Sequence, residues 1–368
     1  MSEQKLLNLY NFDRPALGDL LAGWGYSDYY ADLLWRYLYQ PPYPAIADMH
    51  GLRPDLRARL ASGSELQQPR CVLAQESKDG TRKYLLSLAD GEQIETVLMP
   101  YRDRYTVCIS TQAGCAMGCV FCATGQMGFR RNLTAGEIVA QVLFAANVAQ
   151  KDAPQRRLRN VVMMGMGEPL HNYDETTRAI RILTEDTGMA IGPRYITLST
   201  VGLVPAIRRL ARENLGVNLA VSLHGATDEQ RNALVPLGRR WSLDDVVSAC
   251  RDFCKQTNRR IFFEWTLIDG ANDSPQQAHA LGRLLSGLDA HVNLIPLNPT
   301  GDFDGAASHR AAITQFKAVL EQHGIPSTVR QRRGIDIDAG CGQLRRRAPD
   351  SLEQGQAVPG PDSLNANA

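Results

Sequence analysis

Three cysteines share one short loop, Cys115-Ala116-Met117-Gly118-Cys119-Val120-Phe121-Cys122, a C-x3-C-x2-C run with an aromatic residue before the last thiol. Thiolates at this spacing can hold three irons of a [4Fe–4S] cluster. With no fourth cysteine in the loop, one iron stays open to an external ligand. A structural zinc site is the alternative, but it needs a fourth Cys or His to close a tetrahedron, and the flanking sequence offers none at finger-like spacing. Eight cysteines, at 71, 108, 115, 119, 122, 250, 254 and 341, would suggest disulfides in a small secreted chain. Four of them crowded into 108–122 point to ligand or redox chemistry instead.

The loop follows the first of six β-rich runs that alternate with longer helical periods: Tyr105–Thr111, Asn160–Met166, Arg194–Thr200, Asn218–His224, Arg260–Ile268 and His291–Leu297. Helices are expected over 134–149, 174–189, 203–215, 243–258, 275–288 and 309–323, with Thr134, Asp174 and Ser242 as N-caps. Repeated βα units imply an α/β fold with a parallel sheet. Six units are too few for a closed eight-unit barrel, so a partial (β/α)6 barrel over 105–344 is expected, with a doubly wound sheet as the alternative. Residues 1–65 read as a small helical module, with amphipathic stretches around Leu17–Leu21 and Tyr30–Tyr39. Residues 66–104 read as a β-hairpin extension, and 345–368 as a disordered tail poor in large apolar residues.

On a barrel of this kind, ligands gather at the carboxyl ends of the strands. Gly165-Met166-Gly167-Glu168-Pro169 closes the second run, Ser199 ends the third, Ser222-Leu223-His224 the fourth and Asn298 the sixth, all toward one rim. The cysteine loop together with this rim resembles the radical S-adenosylmethionine (SAM) superfamily. There the open iron is chelated by the amino and carboxylate groups of SAM. Glu168 could accept from the SAM ammonium, and the neighbouring glycines permit a close backbone approach.

Composition sets the limits within which that chemistry must work. The 368 residues carry Lys+Arg 40 against Asp+Glu 39, a formal charge of +1, so a polyanionic partner must be met by local basic patches. Apolar runs fall far short of the ~18 residues that cross a bilayer, and the opening Met1–Lys5 is polar, so the protein is expected to be cytoplasmic and free of membrane partners.

Two further cysteines narrow the reading. Cys108 lies in Thr106-Val107-Cys108-Ile109-Ser110, and Cys341 in Asp336-Ile337-Asp338-Ala339-Gly340-Cys341-Gly342. Taken alone, each would be a buried structural thiol. With Ile94-Glu95-Thr96-Val97, Phe121–Phe129, Arg131-Asn132-Leu133-Thr134 and Arg231–Pro236, they resemble the RlmN/Cfr family of ribosomal RNA adenine methyltransferases over about residues 90–345. The resemblance implies methylation of carbon 2 of adenine 2503 in 23S ribosomal RNA and, in some members, of adenine 37 in transfer RNA. Relatives that confer resistance methylate carbon 8. By the same resemblance Cys115, Cys119 and Cys122 hold the cluster, and Gly167, Glu168, Ser199, Ser222, Leu223, His224 and Asn298 bind SAM. Cys341 is then the transiently methylated cysteine, Cys108 its resolving partner and Glu95 the proton acceptor.

Carbon 2 of adenine is an electron-poor centre and cannot attack a sulfonium, so the methyl must arrive as a carbon radical. The implied route uses two SAM molecules per turnover, one to methylate Cys341 and one as radical source, with a flavodoxin or ferredoxin as electron donor. The adenine must be extruded, and Arg130-Arg131, Arg239-Arg240, Arg332-Arg333 and the N-terminal module are the candidate RNA contacts. A monomer is expected, since RNA must reach an open rim. Gly340, where the family commonly has Ala, would loosen the loop that carries Cys341. Cys71, Cys250 and Cys254 read as core, and none of the histidines outside the rim forms a site by spacing. Carbon 8 methylation, a different RNA adenine, another radical SAM activity and an iron–sulfur sensor remain the competing readings.

Overall fold

The computed structural model describes residues 6–344; the expected tail lies outside them. The N-terminal part is helical. A short strand β1 (Leu7–Asn8) is followed by α1 (Arg14–Gly23), α2 (Asp28–Tyr39), α3 (Pro54–Gly63) and β2 (Ser64–Glu65), which pairs in parallel with β1. Asp13 caps α1 through its side chain, with Pro15 in the first turn, where the missing N–H costs nothing. Leu17, Leu21, Leu34, Trp35, Leu38, Leu56 and Leu60 are buried.

Three antiparallel strands come next: β3 (Arg70–Glu76), β4 (Arg82–Ser87) and β5 (Gln93–Pro100). The two expected hairpin strands are β4 and β5. The addition is β3, whose Cys71 is half-buried at the sheet edge and packs against the core.

Strand β6 (Arg104–Cys108) pairs antiparallel with β5 and parallel with the next barrel strand. Beyond it, β7 (Gln112–Gly114), the one-turn α4 (Ala123–Gln126) and β8 (Phe129–Asn132) frame the cysteine loop. The repeat then runs α5 (Ala135–Asp152), β9 (Arg157–Met163), α6 (Tyr173–Thr184), β10 (Ile196–Thr200), α7 (Val204–Glu213), β11 (Asn218–Ser222), α8 (Asp228–Leu234), α9 (Leu243–Thr257), β12 (Ile261–Leu267), α10 (Pro275–Leu284), β13 (Ala290–Pro296), α11 (Arg310–Gln322) and β14 (Ser327–Val329).

The large sheet has the order β14-β13-β12-β11-β10-β9-β6-β5-β4-β3. From β6 to β14 each strand lies beside its successor in the repeat with no reversal. That order is the open barrel, and it excludes the doubly wound alternative, which needs a switch point. The expected six parallel strands are β6 and β9–β13; β14 adds a short seventh. Its three residues, half-buried or exposed, carry too little periodicity to announce a strand. Register aligns the strand ends, with Thr200 opposite Val221 and Ser222 opposite Glu264. Thr134 and Ser242 cap α5 and α9 in capping boxes with Glu137 and Asp245, as expected. Asp174 instead falls in the first turn of α6, whose N-cap is Asn172. Among the described residues no helix is long and apolar enough to cross a membrane.

Candidate active site

The carboxyl ends of the parallel strands open onto a cavity lined by Cys115, Cys119 and Cys122, and by Gly167, Glu168, Ser199, Ser222, His224 and Asn298. Six of the seven rim residues expected at the SAM site are therefore brought together with the three thiols. Leu223 is not among them. Alternation along β11 turns its side chain into the core, where it is fully buried, and its N–H donates to Glu264 O at 3.1 Å.

The glycines do allow close approach, but to the protein's own chain. A Cβ on Gly165 would lie 2.6 Å from Ile109 O, and one on Gly167, at φ +104°, 2.6 Å from the Gln112 side chain. The end of β9 thereby packs tightly on the segment that leads into the cysteine loop.

The thiols suit a positively charged metal group. Burial pushes Cys115 up to about 12 and raises Cys119 and Cys122, and no Lys or Arg lines the cavity to offset a thiolate. Among the described residues no three Cys, His, Asp or Glu side chains converge on a single-ion position. The three thiols on one cavity wall are a donor set for three irons of a [4Fe–4S] cubane.

Glu168 is buried, and desolvation pushes its carboxyl up to about 7, against hydrogen bonds from Val201 N (2.8 Å) and Leu170 N (3.0 Å). His224 is the opposite case: burial lowers it to about 3, so its ring is neutral. Thr266 N–H donates to its Nδ1 at 2.9 Å, leaving the proton on Nε2.

Cys341 comes from beyond the last strand, on a segment stitched into place from three sides. Ser77 Oγ donates to Asp336 Oδ1 (2.5 Å), Gly334 N to Asp79 Oδ2 (3.2 Å) and Lys83 Nζ to Asp338 O (3.2 Å), all from the antiparallel extension. Asn298 Nδ2 donates to Cys341 O (3.0 Å) from the end of β13, and Ala123 N to Gly342 O (2.7 Å) from the cysteine loop. Gly340 serves this closeness rather than loosening it, because a Cβ there would sit 2.7 Å from both Asn298 Nδ2 and Gln343 Oε1.

The Cys341 residue is exposed and lines both the thiol cavity and an adjoining one. Cys108 lines the second cavity with Arg330, Arg332 and Arg333. Burial pushes Cys108 up to about 12, with the neighbouring Cys341 adding to the effect. Enough protein surrounds the Cys341 thiol that burial raises it too, and Arg330 is the first influence that lowers it.

Glu95 lines neither cavity. It is 3% exposed and pairs with Lys83, itself 2% exposed, at 3.1 Å. Arg131, expected at an RNA surface, is taken up internally by a two-pronged contact with Glu137 at 2.8 Å and by Asp90 at 2.5 Å. Arg231 is buried and caps Val201 O at 2.6 Å.

Sequence reasoning missed Glu264 and Arg330. Glu264 lines the thiol cavity, is buried, and pairs with Arg330 at 3.3 Å. A carboxylate inside Ile261-Phe262-Phe263-Glu264-Trp265 was the available signal. It also missed His279 and His323, which meet at 3.0 Å across α10 and α11.

An open parallel barrel with a three-cysteine rim cavity defines the class of radical SAM enzymes, and residues 109–281 match the Radical SAM superfamily. The chain is 57% identical over 350 residues to the dual-specificity RNA methyltransferase RlmN 1 of Myxococcus xanthus, covering 94% of this chain and 97% of that protein. It is 43% identical to the ribosomal RNA large subunit methyltransferase N of Nitrosopumilus maritimus, over 92% of this chain and 99% of that one. The crystal structure of a radical SAM methyltransferase from Sphaerobacter thermophilus superposes with a TM-score of 0.88 at 49% identity, over 92% and 99% of the two chains. The chain belongs to the RlmN family of radical SAM methyltransferases, and membership implies a [4Fe–4S] cluster and SAM.

Proposed function

We propose that the protein methylates carbon 2 of an adenine in RNA, adenine 2503 of 23S ribosomal RNA and also adenine 37 of transfer RNA, through a methylated Cys341. The observation that carries this reading is that Cys341 stands on the wall between the thiol cavity and the cavity of Cys108. A carrier must face a methyl source on one side and a substrate on the other. When bound on Cys115, Cys119, Cys122 and the rim residues, the cluster and two successive SAM molecules supply a methyl group, an electron and a hydrogen-abstracting radical.

Cys341 takes the methyl by displacement as a thiolate, which the Arg330 guanidinium favours against burial. After loss of one hydrogen atom, the methylene on Cys341 adds to the ring carbon. The adduct then gives up the ring proton, which Glu95 receives as a carboxylate, and one electron, which would return to the oxidised cluster held by Cys115, Cys119 and Cys122. The Cys108 thiol loses its proton and attacks the Cys341 sulfur. An S–S bond forms, the S–C bond breaks, and its electron pair stays on the methyl carbon, which takes up a proton. Two electrons from an external donor then reopen the disulfide, and a flavodoxin or ferredoxin supplies electrons singly. The enzyme works in the cytoplasm as a monomer.

The test is mass spectrometry of nucleosides after anaerobic incubation of the reconstituted protein with SAM, reductant and protein-free ribosomal or transfer RNA. The expected product is 2-methyladenosine. Appearance of 8-methyladenosine would keep the carrier chemistry and overturn the carbon assignment. SAM cleavage with neither product would overturn the substrate.

A further inference from the structure

We propose that Lys83 is a positioning residue that fixes Glu95 relative to the segment carrying Cys341. The proposal rests on the reading of Glu95 as proton acceptor. Lys83 stands in the apolar run Lys83-Tyr84-Leu85-Leu86 of β4 and is 2% exposed. A lysine so deeply placed is rarely found without a partner, because taking an ammonium out of water is unfavourable. Its Nζ has two recorded partners of different kinds. One is Glu95 Oε1 on the neighbouring β5 at 3.1 Å; the other is the main-chain oxygen of Asp338 at 3.2 Å, three residues before Cys341.

The same junction holds the segment at Asp336 and Gly334 through Ser77, Lys78 N and Asp79. Lys83 adds Glu95 to it. Along β5, Glu95 shares a face with Val97 and Met99, both of which line the Cys108 cavity, so the carboxylate lies on the same side, one step beyond the lining residues. A compact ammonium with three donors can satisfy a carboxylate and a carbonyl together. Lys83 is thereby the side chain that contacts both the proton acceptor and the segment of the methyl carrier.

The experiment compares Lys83→Met, Glu95→Gln and the double variant, reading methylated RNA and the covalent RNA–protein adduct after a single turnover. Adduct formation requires every step before proton loss, so a misfolded protein cannot accumulate it. Lys83→Met is expected to lower product at least tenfold while adduct builds up as in Glu95→Gln, and the double variant to be no worse than Glu95→Gln alone. Product and adduct falling together in Lys83→Met, or losses that multiply in the double variant, would overturn the proposal. If Lys83→Met does not fold because it strands a buried carboxylate, Lys83→Gln, which keeps donors without charge, is read in the same assay against the same two outcomes. Normal turnover by Glu95→Gln would instead remove the acceptor role itself. An adduct in Glu95→Gln without one in the Lys83 variant removes only the role of Lys83.

Discussion

The two adjoining cavities share four wall residues, Met164, Ile295, Asn298 and Cys341, and differ in charge. The charged residues lining the first are Glu168 and Glu264, and its histidine is neutral; those lining the second are Arg330, Arg332 and Arg333. An acidic cavity favours a ligand that carries a sulfonium and an ammonium, and a cavity walled by arginines favours phosphate. The Glu264–Arg330 pair at 3.3 Å links the two sides. On the function proposed above, the barrel would sort its two ligands by charge, with one thiol at the boundary.

The boundary itself gives the largest expected effect. Cys341→Ala should abolish RNA methylation, a loss of at least about a thousandfold in kcat, because the group that bonds to the methyl is gone. SAM binding, measured by calorimetry, should persist, since Cys341 is only one of many residues on that wall. Full methylation by Cys341→Ala would mean that the methyl crosses from one cavity to the other without a carrier.

Next is the acidic side. Glu168→Gln removes the carboxylate proposed to accept from the SAM ammonium, and SAM affinity should fall by about 1.5–3 kcal/mol, roughly ten- to a hundredfold. Because burial holds the free carboxyl up to about 7, it is increasingly neutral below that pH. Wild-type affinity should therefore weaken as pH drops through about 7, and the Gln variant should be flat over the same range. Equal slopes in the two proteins would take Glu168 out of the ammonium site.

His224 tests why the acidic cavity carries no cation. Its pKa is lowered to about 3 from an ordinary 6.5, so the folded state favours the neutral ring. That contribution is complete above about 6.5 and is lost as pH falls toward about 3, at about 1.4 kcal/mol per pH unit. Glu168 and Glu264 act in the opposite sense, since raised carboxyls gain stability on protonation. The comparison must therefore be between proteins. Urea unfolding of His224→Gln should lose less stability than wild type on acidification, by about 2 kcal/mol at pH 5. Parallel curves would show that the ring is free to charge where it stands.

The acidic cavity was largely legible in the sequence; of the basic one, Cys108, Cys341 and the Arg332-Arg333 pair were legible, but not their meeting in one wall. Cys115, Cys119 and Cys122 share a single loop, and Glu168, Ser199, Ser222, His224 and Asn298 each end a recognisable strand, so local spacing and βα periodicity suffice to align them. Leu223 is absent from the cavity lining because, one residue past β11, alternation sends its side chain the other way from Ser222 and His224. The basic cavity is assembled from β5, β6, β9, β13, β14 and the segment after it, and β5 and the last segment join the barrel strands only through tertiary pairing. Arg330 follows a three-residue strand that no pattern announces. Lys83 and Glu95 become partners only through the β4–β5 register, which sets Glu95 opposite Leu85 and Val97 opposite Lys83. Arg131 shows the converse: its basic neighbourhood suggested a phosphate contact, while Glu137 and Asp90 hold it within the fold.

The smallest effect belongs to the arginine side. Arg330 pairs with Glu264, and Arg333 stacks on Tyr101 and donates to Pro100 O at 3.0 Å, so removing either disturbs the fold as well as the surface. Arg332 lines the same cavity and is exposed, with no recorded ion pair among the described residues, so its replacement isolates the charge. Arg332→Ala should weaken RNA binding a few-fold near physiological salt and make the slope of log affinity against log salt shallower by about 0.7–0.9, the value for one phosphate contact. SAM affinity, if set in the acidic cavity as proposed, should not change. An unchanged salt slope would assign the basic wall to holding the Cys341 segment and place the phosphate contacts elsewhere on the surface, with Arg130 the next residue to replace.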